Sequence, residues 1–237
     1  MPVSMGGIKV TSLYRTAFDC LRGLEFSHAL AVADSVLRKT RLTRRGLMEL
    51  LSSSFLHSAG VSRARRVATM ATSRCENGDE SMLRAQLLRL GFPPPHMQLC
   101  VADPLEAGKL YRVDAGWLTP RGVVAAELGG SQKYRDPQFT DGRSFSATLL
   151  RERRREARLT AAGACVARFS YDELLDEAYL TRVLRAYGIR PSVAPELVDG
   201  VPRVADAPLA LGAPMTVVDE RMFELNGWTI LATSYVA

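Results

Sequence analysis

Apolar residues recur at near-helical spacing in the first part of the chain, from about residue 13 to 70. One buried helical face would be formed by Phe18, Leu21, Leu30, Ala33 and Leu37. Thr43 and Ser62 each precede a further helical stretch and suit the N-cap position, where a hydroxyl accepts a backbone N–H. Residues 1–74 are therefore expected to form a helical N-terminal segment that packs as a small bundle.

After residue 75 the pattern alternates between helix and strand. The helix "ESMLRAQLLRLG" is expected to stop at Gly91, ahead of three prolines. The strands are "MQLCVAD", "YRVDAGWL", "GVVAAEL" and "ACVARFS", with the charged helix "LLRERRREARLTAAG" before the last strand and the helix "YDELLDEAYLTRVLRAYG" after it. This order predicts an α/β core over residues 75–189, with one central mixed sheet flanked by helices.

Two of these strands have contrasting patterns. In "YRVDAGWL", strict alternation would put Tyr111, Val113, Ala115 and Trp117 on one face and Arg112 and Asp114 on the other. The run "GVVAAEL" is apolar throughout, as in a strand covered on both faces. Residues 190–237 suggest short strands, in "MTVVDE" and "WTILATSYVA", but carry no motif. They are treated as a C-terminal appendage whose role stays open.

Charge and composition narrow the class of protein. The chain has 237 residues and a net charge of +6, mostly from arginine, which fits a polyanionic partner but is weak support by itself. Cysteines and histidines are too scattered for a structural zinc site, so the thiols are expected to be reduced. No signal peptide and no run of ~20 apolar residues occurs, which predicts a cytoplasmic protein without a membrane segment.

Three carboxylates stand at positions suited to a metal site. Glu80 opens a helix, Asp114 lies inside a strand, and Glu127 ends the next strand. Mg²⁺ binds one or two carboxylates together with water and substrate phosphate, and such an ion can activate water for phosphodiester hydrolysis. Lys133, six positions after Glu127, could stabilise developing charge. The alternative is that these are surface residues of two ordinary strands.

The charged helix carries a second signal. Four arginines at helical spacing gather on one face that could hold a nucleic-acid backbone, namely Arg151, Arg154, Arg155 and Arg158. The alternative is a solvated helix with ion pairs between Glu152 and Arg155 and between Glu156 and Arg153. Arg168, on the last strand, is either part of a site or a structural partner of a core carboxylate.

Six blocks follow one another between Cys75 and Tyr187: "ESMLRAQL", "GFPPPHMQ", "YRVDAGW", "VAAELGGSQKYRD", "RERRREARLTAAG" and "VARFSYDELL". In this order they resemble the very-short-patch-repair-endonuclease-like domain of unknown function, which belongs to the PD-(D/E)XK, or restriction-endonuclease-like, superfamily. Residues 8–74, with "VTSLYRTAFD" and "ALAVADSVLR", resemble the region that precedes this domain in AbiE-type antitoxin-like actinobacterial proteins.

The resemblance implies a restriction-endonuclease-like core and a divalent-metal-dependent DNA endonuclease. Glu80, Asp114 and Glu127 would match the family's metal-binding positions for Mg²⁺ or Mn²⁺. Asp114, Glu127 and Lys133 would be its catalytic residues. Gly129 stands where relatives usually carry an aspartate, so one carboxylate of the family pattern is missing.

Three functional hypotheses therefore stay open. The first is a metal-dependent DNA endonuclease, and the second is a catalytically degenerate module of an antitoxin or regulator that binds DNA or a partner protein. The third is a purely structural or interaction protein.

Overall fold

The computed structural model describes residues 3–129, 145–192, 194–203, 222–225 and 228–231. The chain divides into two compact units. The helical unit consists of Met1–Gly91 with Val193–Leu209, and the sheet unit of Phe92–Ser192 with Ala210–Ala237. In chain order the elements are β1 (Val3–Met5), β2 (Ile8–Val10), α1 (Leu13–Gly23), α2 (Phe26–Thr40), α3 (Arg44–Ser54), α4 (Val61–Thr69), α5 (Gly78–Arg89), β3 (His96–Ala102), β4 (Leu110–Thr119), β5 (Gly122–Leu128), α6 (Phe145–Ala161), β6 (Ala164–Phe169), α7 (Tyr171–Leu175), α8 (Glu177–Ala186), β7 (Leu197–Val198), β8 (Val201–Pro202), β9 (Met222–Leu225) and β10 (Trp228–Leu231).

The helical unit has the apolar core that the helical periodicity predicts. Phe18, Leu30, Leu51 and Val67 are all buried in one cluster formed by α1 to α4. The predicted N-cap at Thr43 is confirmed, because its hydroxyl accepts the N–H of Gly46. The predicted N-cap at Ser62 is wrong. Gly60 caps α4 instead, with a φ of 84° that favours glycine.

Helix α5 packs in the helical unit, although the sequence pattern assigned it to the core that begins at residue 75. It packs against α2, and Arg84 of α5 forms a fully buried ion pair with Asp34 of α2, at 2.6 Å between Nη1 and Oδ2. Arg84 also donates to the carbonyl of Met70, and the N–H of Thr72 donates to Asp34 Oδ1 at 2.7 Å. These contacts tie α5 to the helices, so the division between the units falls at Gly91 instead of at residue 74.

The predicted appendage also contributes to both units. Val201 of β8 is fully buried in the apolar cluster of the helical unit. Strand β10, within "WTILATSYVA", pairs in parallel with β3 of the sheet unit, and β9 pairs with β10. The segment "MTVVDE" lies outside the described residues.

The sheet unit contains a six-stranded mixed sheet in the order β6-β5-β4-β3-β10-β9. Strands β3, β4 and β5 pair antiparallel, and β5 pairs with β6 in parallel, with α6 providing the connection between them. The predicted mixed α/β architecture, with helices flanking the sheet, is confirmed. The final predicted helix is divided in two, because Asp176 ends α7 and its carboxylate caps α8 by accepting the N–H of Tyr179.

The predicted alternation along β4 is wrong at its centre. Tyr111 and Val113 share an apolar cluster with Leu118, which strict alternation would place on the opposite face. The change of face occurs around Asp114, next to the point on β3 where Gln98 has a φ of 55°. Such irregularities re-aim side chains and interrupt the pairing of strands.

Two further findings concern the whole described chain. All four cysteines are free thiols, and burial raises the pKa of the Cys75 thiol to about 12. Within the ranges that the structure describes, no helix is both long and apolar enough to cross a membrane.

Candidate functional site

The two strand carboxylates lie at one end of the β4–β5 ladder. The ladder pairs Ala115 with Ala126, so Asp114 and Glu127 are the next residues along their strands. Asp114 Oδ2 accepts the backbone N–H of Leu128 at 2.9 Å. The two carboxylates are therefore on neighbouring strands, as the sequence predicts. One oxygen of Asp114, however, already accepts a hydrogen bond from the backbone of the neighbouring strand.

Glu127 is held by two guanidinium groups. Its side chain is only 12% exposed. Oε1 is buried and meets Arg155 Nη1 in an ion pair that lacks hydrogen-bond geometry, and Oε2 lies 3.5 Å from Arg168 Nη2. Arg155 also donates from Nη2 to the carbonyl of Arg112 at 2.6 Å, which fixes its guanidinium against β4. Both oxygens of Glu127 thus face positive charge.

The same two arginines contact two glutamates of α6. Arg168 Nη2 lies 3.3 Å from Glu156 and 3.7 Å from Glu152, and Arg155 Nη1 lies 3.9 Å from Glu152. We call Glu127, Glu152, Arg155, Glu156 and Arg168 the arginine–glutamate cluster. It joins α6 to β5 and β6. Arg168 does pair with a mostly buried carboxylate, Glu127, and the predicted Glu152–Arg155 pair is present, whereas Glu156 pairs with Arg168 instead of with Arg153.

The other residues of the predicted metal site belong to the helical unit or fall outside the described residues. Glu80 is buried in the first turn of α5, in the helical unit, and accepts the N–H of Glu76 and the amide of Asn77, both at 2.8 Å. Lys133 lies outside the described residues. At Gly129, a Cβ atom would meet nothing within 4 Å.

Asp114 and Glu127, as the described residues arrange them, do not fit a divalent cation. Mg²⁺ and Mn²⁺ need several oxygen ligands with free lone pairs. Both oxygens of Glu127 already face guanidinium groups, and one oxygen of Asp114 accepts a backbone N–H. Among the described residues, no group of three or more histidine, cysteine, aspartate or glutamate side chains could hold a metal ion.

The predicted arginine face of α6 is divided between solvent and the protein. Arg155 and Arg158 point inward and form ion pairs, Arg155 with Glu127 and Arg158 with Asp103 at 3.2 Å. Arg151 and Arg154 are exposed and have no ion pair to any described residue. Half of the predicted nucleic-acid-binding face is therefore accessible, and half stabilises the packing of α6.

Asp103, after the end of β3, is a buried carboxylate that the sequence patterns did not single out. It accepts the N–H of Leu105 at 2.8 Å and the Tyr111 hydroxyl at 2.7 Å, and it pairs with Arg158. Burial alone would raise the pKa of Asp103, but these hydrogen bonds and the Arg158 charge hold the pKa below its usual range. The signal was present in "ADPLE", because an aspartate before a proline often accepts backbone N–H groups in a turn.

Comparison of the chain with protein-family models, with curated proteins and with solved structures finds no match in any of the three. The fold and the site therefore place the chain in a broad class but in no named family. It is a mixed α/β protein with an ion-pair cluster at one end of its central strands.

Proposed function

We propose that this protein is a nucleic-acid-binding module in which an arginine–glutamate cluster takes the place of a catalytic metal ion. The observation that carries the proposal is the engagement of both Glu127 oxygens by Arg155 and Arg168. In the restriction-endonuclease-like fold that the sequence resembles, the matching carboxylate binds the metal. The replacement of an acidic residue by Gly129 supports the same proposal.

The binding surface is the exposed side of α6. Arg151 and Arg154 are exposed and make no ion pair with a described residue, and guanidinium groups match phosphate oxygens in charge and geometry. Phosphate contacts position a protein on nucleic acid without reading its sequence. The net charge of +6 favours association with any polyanion. An antitoxin or regulator role, with a protein partner, is compatible with this binding activity.

One observation favours a second candidate, the metal-dependent endonuclease. The arginine–glutamate cluster contains three carboxylates and only two guanidinium groups, and Asp114 follows on the neighbouring strand. An excess of negative charge attracts cations. A divalent ion that displaced an arginine from Glu127 would restore a nuclease-type ligand.

DNA binding is tested by fluorescence anisotropy of a labelled duplex over a series of salt concentrations. The double variant Arg151→Gln with Arg154→Gln should bind more weakly, and the slope of log affinity against log salt should fall by about 0.9 for each phosphate that the protein no longer neutralises. The matched control is Lys39→Gln with Arg45→Gln, which removes the same charge from exposed positions of the helical unit. Equal losses of affinity in both double variants would mean that only net charge matters.

Cleavage is tested on supercoiled plasmid with Mg²⁺ or Mn²⁺. If the proposal is right, the wild-type protein nicks the plasmid no more than the Glu127→Gln variant does. Nicking by the wild type that needs the divalent ion and is abolished by Glu127→Gln would instead support the endonuclease. Residual nicking that survives Glu127→Gln would point to a different site or a contaminant.

A further inference from the structure

We infer that a cavity between α6 and the β3–β4 connection is a subsite for a phosphate monoester. The cavity has a volume of about 400 Å³ and lies entirely within the sheet unit. Its lining residues are Glu106, Lys109, Tyr111, Arg154, Ala157 and Arg158. This size lies within the range of small-ligand sites.

The charged residues that line the cavity are mostly cations, which favours an anionic ligand. Lys109, Arg154 and Arg158 supply three positive charges, against one carboxylate from Glu106. A phosphate monoester carries roughly −1.5 to −2 at neutral pH, whereas a phosphodiester inside a strand carries a single negative charge. A site with an excess of cations attracts the monoester at the end of a strand or on a mononucleotide more strongly than an internal phosphate, because the monoester carries the larger negative charge.

Two of the three cations are held in place by the protein. Arg158 lies 3.2 Å from the buried Asp103. Lys109 lies 3.0 Å from Glu106, with its ammonium 5.5 Å from the centre of the Tyr111 ring. Because these side chains are already ordered, binding costs less conformational entropy than it would for free side chains.

The buried carboxylate of Asp103 offsets part of this positive charge. It lies 3.2 Å from Arg158 and 3.8 Å from Lys109, and it also accepts hydrogen bonds from the N–H groups of Leu105 and Glu106 and from the Tyr111 hydroxyl. With Asp103 included, three cations face two carboxylates, and the balance stays positive. Arg154, which is exposed and makes no ion pair with the described residues, is left to engage a ligand.

This inference rests on the proposed function only for the source of the phosphate, a nucleic-acid strand. The cavity itself would accept the same group from a free nucleotide. The experiment therefore uses three probes: a short labelled single strand with a 5′-phosphate, the same strand without it, and adenosine 5′-monophosphate.

Affinity for the strands is measured by anisotropy, and affinity for the mononucleotide by calorimetry. The 5′-phosphate should strengthen binding of the strand by about tenfold, as expected for charge-assisted hydrogen bonds. Lys109→Gln and Arg154→Gln should each remove most of that advantage. Arg153→Gln, on the exposed side of the same helix and outside the cavity lining, should retain it. Circular dichroism checks that each variant is folded.

The outcomes separate the subsite from the proposed function. Equal binding of both strands by the wild type would overturn the subsite and leave nucleic-acid binding intact. A 5′-phosphate advantage that Arg153→Gln removes as fully as Arg154→Gln does would also overturn the subsite. Binding of adenosine 5′-monophosphate without binding of either strand or of the labelled duplex, weakened by Lys109→Gln, would support the subsite and refute the proposed function. Binding of none of the three probes would overturn the subsite, and the proposed function would fall with it if the duplex also did not bind.

Discussion

Replacing Glu127 with glutamine tests the arginine–glutamate cluster directly, because the change keeps the shape of the side chain and removes its charge. Glu127 is 12% exposed, Arg155 is 22% exposed and Arg168 is 37% exposed. The variant leaves two partly buried guanidinium groups without their most buried partner.

The cost is estimated from two limits. Removing one partner of a fully buried ion pair costs about 3–5 kcal/mol, whereas an exposed pair contributes about 0–1 kcal/mol. Here Arg155 retains Glu152 at 3.9 Å, and Arg168 retains Glu156 at 3.3 Å, so the loss should lie between the limits. We expect the free energy of unfolding to fall by about 2 kcal/mol, or Tm by roughly 4–8 °C in a chain of this size.

The assay is thermal unfolding followed by circular dichroism, with and without Mg²⁺. Glu156→Gln is the matched control, because Glu156 is 50% exposed and should contribute less than about 1 kcal/mol. The interpretation is refuted if Glu127→Gln is as stable as the wild type. It is also refuted if Mg²⁺ raises the Tm of the wild type but not of the variant, because a ligand that binds only the folded state stabilises it.

Three further predictions concern other positions. Gly129→Asp should fold normally, because its Cβ meets none of the described residues within 4 Å, and should give no plasmid nicking. Metal-dependent nicking would support the endonuclease instead. Arg84→Met should lower the free energy of unfolding by about 3 kcal/mol at neutral pH, as measured by urea denaturation, because it leaves the buried Asp34 carboxylate without its charged partner. Burial raises the pKa of Asp34 and the Arg84 charge opposes that rise, so the pKa in the folded variant is higher still. The folded variant therefore takes up the proton first, and the loss of stability should shrink as the pH falls; a loss that does not change with pH would contradict the assignment. Asp103→Asn should show the reverse dependence. The pKa of Asp103 is lowered on folding, so its stabilisation is present above about pH 4 and is lost in acid, and the two proteins should converge in stability there.

Local patterns predicted most of the fold. The helices of the bundle and the order of strands β3 to β6 follow from periodicity and turn residues, which depend only on neighbouring positions. Helix α5 was assigned to the wrong side of the division between units because its residues 80 to 87 are all buried. Its polar residues Glu80, Arg84 and Gln86 are buried together with the apolar ones, so the pattern does not mark which side of the helix faces a partner.

The candidate site was predictable only in part. The sequence shows that Asp114 and Glu127 lie on neighbouring strands, but their partners depend on the order of strands in the sheet. Arg155 and Arg168 reach Glu127 because β6 pairs in parallel with β5 and α6 crosses between them. The interruption at Asp114 depends on the backbone of Gln98 in another strand, which no local pattern reveals.

The return of the chain to the helical unit bears on how the protein folds during synthesis. Val201 completes the apolar cluster of that unit, yet it leaves the ribosome only after all of residues 92–200. At about 5–20 residues per second, the roughly 110 residues after Gly91 take on the order of 5–20 s to be made. The N-terminal helices therefore pack at first without Val201, and this part of their apolar cluster is covered only when the later segment has been made.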